Sequence, residues 1–165
     1  MYRATRDFIE ARQKFCKWRL DVVRVRNTGG GVPNSCYTNA RSSADKARGI
    51  WFVAGWIVMP YNATTNSTEI IQHWWNATAN NEHFDTTPCH EMKGAEYVQD
   101  RSYFNYCCDN DHLLNSHVSS SLLLKAGSFW AVDEKPDMSL EYRAISDLSC
   151  EELFRTKMLS FKQAA

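Results

Sequence analysis

Ile50-Trp51-Phe52-Val53-Ala54-Gly55-Trp56-Ile57-Val58-Met59 is the longest apolar run in the chain. Its β-branched and aromatic content marks it as a buried strand rather than a helix. Toward the N-terminus, Cys36 to Arg48 is small and helix-compatible, so a helix is predicted to start at or just after Asn34-Ser35. Before it, Asn27-Thr28-Gly29-Gly30-Gly31-Val32-Pro33-Asn34 cannot continue a helix, because it holds three glycines and a proline. Phe8, Ala11, Phe15, Trp18 and Val22 recur at three- and four-residue steps, which predicts an amphipathic helix from about Thr5 to Val25.

Toward the C-terminus, Thr68 to Trp75 reads as a short helix, the stretch to Cys89 as polar loop, and residues 94–106 as one strand or two. Val118–Leu124, Ser128–Asp133 and Leu140–Ile145 read as successive antiparallel strands, joined at Lys125-Ala126-Gly127 and Glu134-Lys135-Pro136-Asp137. Ser149 with Glu152 forms a capping box for a final helix carrying Leu153, Phe154, Met158 and Phe161. The expectation is one α+β domain spanning residues 1–165, with helices near both ends and strands between.

The bulk numbers exclude several classes. A chain of 165 residues with 44% hydrophobic content can bury one core. Its formal net charge is zero and its pI is near 6.9, which argues against a nucleic-acid partner. The basic residues of the first 26 positions alternate with apolar ones, as on a solvated helix face. The ten residues of the apolar run are too few for a membrane span, which takes about 20. No apolar segment follows Met1 as a secretory signal requires, yet six cysteines and the sequons at Asn62, Asn66 and Asn76 suit an oxidising compartment. Two readings reconcile these: a mature chain lacking its signal, or export without a cleaved one.

The candidate chemistry centres on Cys36. A nucleophilic thiol needs a lowered pKa and a nearby base, and the start of a helix favours the thiolate. His117 opens one predicted strand and Asp133 closes the next, so antiparallel pairing can bring them together, the acid orienting the imidazole. The order Cys, His, Asp, with the nucleophile on an early helix and its partners on a later sheet, is that of papain-like hydrolases. Backbone N–H groups at the helix start, around Ser35 and Tyr37, are the expected oxyanion donors.

Thr28-Gly29-Gly30-Gly31-Val32-Pro33-Asn34-Ser35-Cys36 resembles the nucleophile motif of type VI secretion amidase effectors of the fourth family, a Gly-Gly pair followed by Asn-x-Cys. Phe8-Ile9-Glu10-Ala11, Phe15 and Lys17 resemble that family's first helix. The family's arginine and serine after the cysteine are replaced here by Asn39 and Arg41. The resemblance implies a papain-like fold, with the cysteine helix packed on an antiparallel sheet and a C-terminal helix. It further implies cleavage of peptidoglycan amides without a cofactor, action in a target cell's periplasm, and an immunity protein as partner. Cys107-Cys108-Asp109-Asn110-Asp111-His112 is similar to the family's cysteine-rich segment, and if that match holds Asp109 is the acid.

A second resemblance is to transglutaminase-like cores. Cys36 with Ala40, then Arg48-Gly49-Ile50 and Val53-Ala54-Gly55, is similar to their nucleophile helix and next strand, and Gly127 to Asp133 to their glycine–tryptophan–aspartate strand. The tryptophan expected two places after the histidine, His117, is absent, since Ser119 stands there.

Other sites fare worse. Cys107, Cys108, His112 and His117 form a poor zinc set, since adjacent cysteines rarely bind one metal, and no metal site is expected. A disulfide among Cys89, Cys107, Cys108 and Cys150 is the commoner fate for those residues. A non-enzymatic alternative is a lipocalin-like ligand-binding barrel, suggested by Gly49-Ile50-Trp51 at a strand start.

Overall fold

The computed structural model describes residues 1–88, 94–110, 121–134 and 139–154. They form an α+β fold. Helices α1 (Arg3–Gln13), α2 (Cys36–Ser43) and α3 (Arg101–Asp109) accompany strands β1 (Asp21–Val23), β2 (Val25–Asn27), β3 (Ile50–Val58), β4 (Thr68–Thr78), β5 (His83–Asp85), β6 (Glu96–Gln99), β7 (Ser121–Lys125), β8 (Ser128–Glu134) and β9 (Leu140–Ile145). A fourth helix, α4, is described over residues 150–154. The strands form one open sheet in the order β1-β6-β3-β4-β7-β8-β9, while β5 pairs with the far end of β4 and with β2. All pairings are antiparallel except β2 with β5. Among the described residues β1 and β9 end the path without pairing with each other, so the sheet they form is open, unlike a lipocalin barrel.

The run at 50–59 forms the expected strand, and the 121–145 region forms the expected antiparallel meander. Ala126 and Gly127 both take left-handed φ (50° and 77°), as a tight two-residue hairpin requires. The Ser149 cap is also present: its hydroxyl accepts from Glu152 N at 3.2 Å.

Three elements differ from expectation. The first helix stops at Gln13, where Gln13 Oε1 accepts from Leu20 N at 3.0 Å and its amide donates to Trp18 O at 3.1 Å, turning the chain back. Beyond it the β-branched run at Val22, Val23 and Val25 finds strand partners, and Phe15, Trp18 and Val22 are exposed rather than on a buried stripe. Thr68–Trp75 is not a helix but the first part of β4. Trp74 and Trp75 are both fully buried, in separate apolar clusters on opposite faces of the sheet. Only an extended chain between two layers buries adjacent side chains in this way. The stretch before Cys89 contains β5, and residues 94–106 are one strand followed by most of α3.

The larger cluster packs α1, α2 and α3 on one face, around Phe8, Trp56, Trp74 and Tyr103. Its polar anchor is Arg12, which is fully buried instead of solvated. Arg12 Nε donates to Asp100 Oδ2 at 2.9 Å, Nη1 to Leu148 O at 2.8 Å and Nη2 to Cys150 Sγ at 2.9 Å. Asp100 also caps α3 through Tyr103 N and accepts from Trp56 Nε1. One ion pair thus ties α1, β3, α3 and the start of α4. Arg12→Ala leaves the Asp100 carboxylate buried without its cation, and a loss of about 3–5 kcal/mol is expected in urea unfolding. A loss under about 1 kcal/mol would show that the pair does not hold these elements together.

Candidate active site

The glycine-rich segment is held against the strand that carries an acid. Thr28 N donates to Asp85 O at 2.8 Å, Gly31 N to Thr86 O at 2.8 Å, and Asn27 Nδ2 to Thr87 O at 3.0 Å. Position 31 must be glycine for steric reasons: a Cβ there would lie 2.6 Å from Asn39 Cγ and 2.7 Å from Thr86 O. Asn39, one turn into α2, fastens the same loop. Its Oδ1 accepts from Val32 N at 2.9 Å, and its Nδ2 donates to Val32 O at 2.8 Å and Thr87 Oγ1 at 3.2 Å.

The loop delivers Cys36 as the first residue of α2, with Ser35 at the N-cap making no side-chain cap bond. As at any helix start, the first N–H groups of α2 have no acceptor within the helix itself. The helix is seated by Tyr37, whose ring meets Trp74 edge-on at 5.1 Å, and by Asn76 Nδ2, which donates to Ala40 O at 2.8 Å. Asn76 is fully buried, so of the three sequons only Asn62 and Asn66 are exposed.

Cys36 meets His73, a residue of β4. Among the described residues, β7 pairs with β4 only at Thr68–Ile71 and β5 only at Asn76–Ala77, so His73 lies in the interval between those neighbours. Directly across from His73 on β3 is Gly55. His73 Nε2 is 2.7 Å from Asp85 Oδ2, and the Cys36 thiol is its other side-chain hydrogen-bond partner. Cys36, His73 and Asp85 are 5%, 3% and 1% exposed.

The carboxylate is well supplied with donors. Thr87 N donates to Asp85 Oδ1 at 2.8 Å, and Tyr97 Oη donates to Asp85 Oδ2 at 3.2 Å. Burial by itself pushes the His73 pKa down, but the hydrogen bond to Asp85, then the bond and charge of Cys36, more than offset it and raise it to about 9. His73 therefore holds its proton at neutral pH beside the Cys36 sulfur. A thiolate–imidazolium pair oriented by a carboxylate is the chemistry of a nucleophilic cysteine.

Of the residues read from sequence, Cys36 is at this site, with Ser35 and Tyr37 at its helix start. His117 lies outside the described residues, as does the side chain of Asp133, whose backbone pairs with Glu141 in β8 and β9. Asp109 is exposed at the C-terminal end of α3. His73 and Asp85 were missed because Thr68–Trp75 was read as a helix and the following stretch as loop. A signal was present: the tryptophan two places after the histidine, missing beyond His117, stands at Trp75 beyond His73.

Cys16, Cys36, Cys107, Cys108 and Cys150 are thiols, so among the described residues no disulfide forms; Cys89 lies outside them. Of the zinc set considered above, Cys107 is buried and Cys108 exposed on α3, and His112 and His117 lie outside the described residues. Among the described residues no three His, Cys, Asp or Glu side chains are grouped to hold a metal ion, and no helix is long and apolar enough to cross a membrane. A groove of about 870 Å³, lined by Glu69, Leu123, Trp130 and Tyr142 among others, opens on the sheet. Glu69 shares a face of β4 with His73, four residues and roughly 13 Å away. No family model matches the chain, and no curated protein or solved structure matches it either.

Asn39→Ala removes three hydrogen bonds and leaves the Thr87 hydroxyl and Val32 backbone without them. A loss of about 1–3 kcal/mol is expected, with amide exchange at Val32 accelerated far more than in the β3–β4 ladder. Equal acceleration in both places would mean that Asn39 does not specifically fasten the loop.

Proposed function

We propose that this protein is a thiol-dependent acyl-transfer enzyme of papain-like arrangement, with Cys36 as nucleophile, His73 as acid and base, and Asp85 as the residue orienting His73. The observation that carries the reading is the Cys36–His73–Asp85 line. Three buried groups of the right kinds are hydrogen-bonded in series, and the nucleophile stands at a helix N-terminus.

The mechanism follows from that geometry. The Cys36 thiolate attacks an amide carbonyl carbon, and the oxygen that gains charge is met by N–H groups at the start of α2. The His73 imidazolium gives its proton to the leaving amine as the C–N bond breaks, leaving a thioester on Cys36. Neutral His73 then takes a proton from water, the hydroxide displaces the thiolate, and the acid product leaves. Asp85 keeps Nε2 engaged, which holds the orientation of the ring throughout.

As substrate we propose the peptide amides of peptidoglycan, in the stem or the cross-link. The support is the Gly-Gly and Asn-x-Cys resemblance around Cys36. In that reading the enzyme acts in the periplasm of a target cell, and an immunity protein guards its producer. A second reading is favoured by Trp75: a transglutaminase-like enzyme in which an amine, not water, resolves the thioester.

Digestion of sacculi followed by mass spectrometry of the muropeptides tests the substrate. New fragments are expected with wild type, none with Cys36→Ala or His73→Ala, and about 10²–10⁴-fold fewer turnovers with Asp85→Asn. Turnover requires the protonated ring for the leaving amine, so kcat/KM should decline as pH rises through about 9. Unchanged muropeptides together with amine incorporation into a glutamine peptide would transfer the case to the second reading. Full activity of Cys36→Ala would end both.

A further inference from the structure

We infer that Tyr97 is a positioning residue of this site, acting through the Asp85 carboxylate to set both the direction and the basicity of His73. The consequence for rate rests on the cysteine-enzyme reading above; the effect on the imidazole does not.

Tyr97 is on β6, between β1 and β3. It is opposite Val23 on β1 and Ile57 on β3, so its backbone is fixed on both sides. Its ring stands edge-on to Trp75 at 5.4 Å and to His73 at 6.1 Å. Trp75 is locked in turn, because its Nε1 donates to His83 Nδ1 at 2.9 Å. The hydroxyl thus approaches Asp85 from a direction that neither ring nor backbone can readily change.

The bond it makes has a specific target. Asp85 Oδ2 is the oxygen that holds His73 Nε2, and Tyr97 Oη donates to that same atom. Oδ1 is fastened separately by Thr87 N. Thr87 N therefore fixes one end of the carboxylate, and Tyr97 fixes the other against rotation away from the imidazole. The same donor draws negative charge from Oδ2, which weakens its pull on the His73 proton. His73 thus keeps its proton at neutral pH but is still able to surrender it during turnover. This outer support resembles the way second-layer partners tune a histidine at metal sites.

Tyr97→Phe removes the hydroxyl and keeps the ring contacts, so a purely structural role predicts little change. The direct readout is the titration of the His73 ring by NMR, which needs no substrate. With Oδ2 relieved of one donor, the His73 pKa should rise by about half a unit to one unit in Tyr97→Phe. In an Asp85→Asn background the same substitution should shift it by no more than about 0.2 units, because the route through the carboxylate is gone. In turnover, Tyr97→Phe should lower kcat several-fold with KM little changed, and move the alkaline limb upward with the NMR value. An unchanged His73 titration in Tyr97→Phe, or an equal shift with and without Asp85, overturns the inference. If His73 shifts as expected while neither variant nor wild type turns over any acyl substrate, the Tyr97 coupling stands and the enzyme reading fails.

Discussion

A carboxylate withdrawn from water must be supplied with donors or take up a proton. Asp85 is supplied from three directions, by His73, Thr87 and Tyr97. The segment bearing it is also where separate parts of the chain are joined. Thr28, Gly31, Asn27 and Asn39 all bond to residues 85–87, so the loop before Cys36, the first turns of α2 and the end of β5 form one hydrogen-bonded unit. The position of Cys36 relative to the acid is thereby set by this network of backbone and asparagine side-chain bonds, not by the thiol itself.

The other half of the site depends on β4. An extended strand buried on both faces sends Trp74 into the larger cluster, where it seats α2 through Tyr37, and sends His73 and Trp75 to the opposite side with Tyr97. α2 packs on one face of β4 and the imidazole belongs to the other. Among the described residues, His73 lies in the interval of β4 between its pairings with β7 and with β5. Gly55 belongs to the same constraint, since a Cβ there would stand 2.1 Å from Val98 O and 2.6 Å from the Trp75 ring.

Much of this was legible in residue order, and the failures have physical causes. The strand at 50–58, the cysteine at a helix start and the Ala126-Gly127 hairpin depend on local features: apolar runs, helix-breaking residues and turn chemistry. The N-terminal helix was read too long because Phe15, Trp18 and Val22 kept a helical period that buries nothing. Arg12 looked like one more solvated charge, and only its distant partner Asp100 makes it part of the core. His73 was hidden by the run of aromatic residues around it, whose period fits either a short helix or a strand. Its pairing with an acid twelve residues away exists only once β4 and β5 are adjacent, which no local pattern encodes.

The central claim is that Cys36 owes its reactivity to His73, and alkylation with iodoacetamide measures this most directly. Cys36 is 5% exposed whereas Cys108 is open to solvent, so faster labelling of Cys36 cannot be a matter of access. The account predicts that Cys36 reacts at least tenfold faster than Cys108 at pH 6–7, below the ordinary thiol pKa of about 8.5. It also predicts that His73→Ala abolishes this advantage and leaves the fold intact by circular dichroism. Labelling of Cys36 no faster than that of Cys108, or fast labelling that survives His73→Ala, would contradict it.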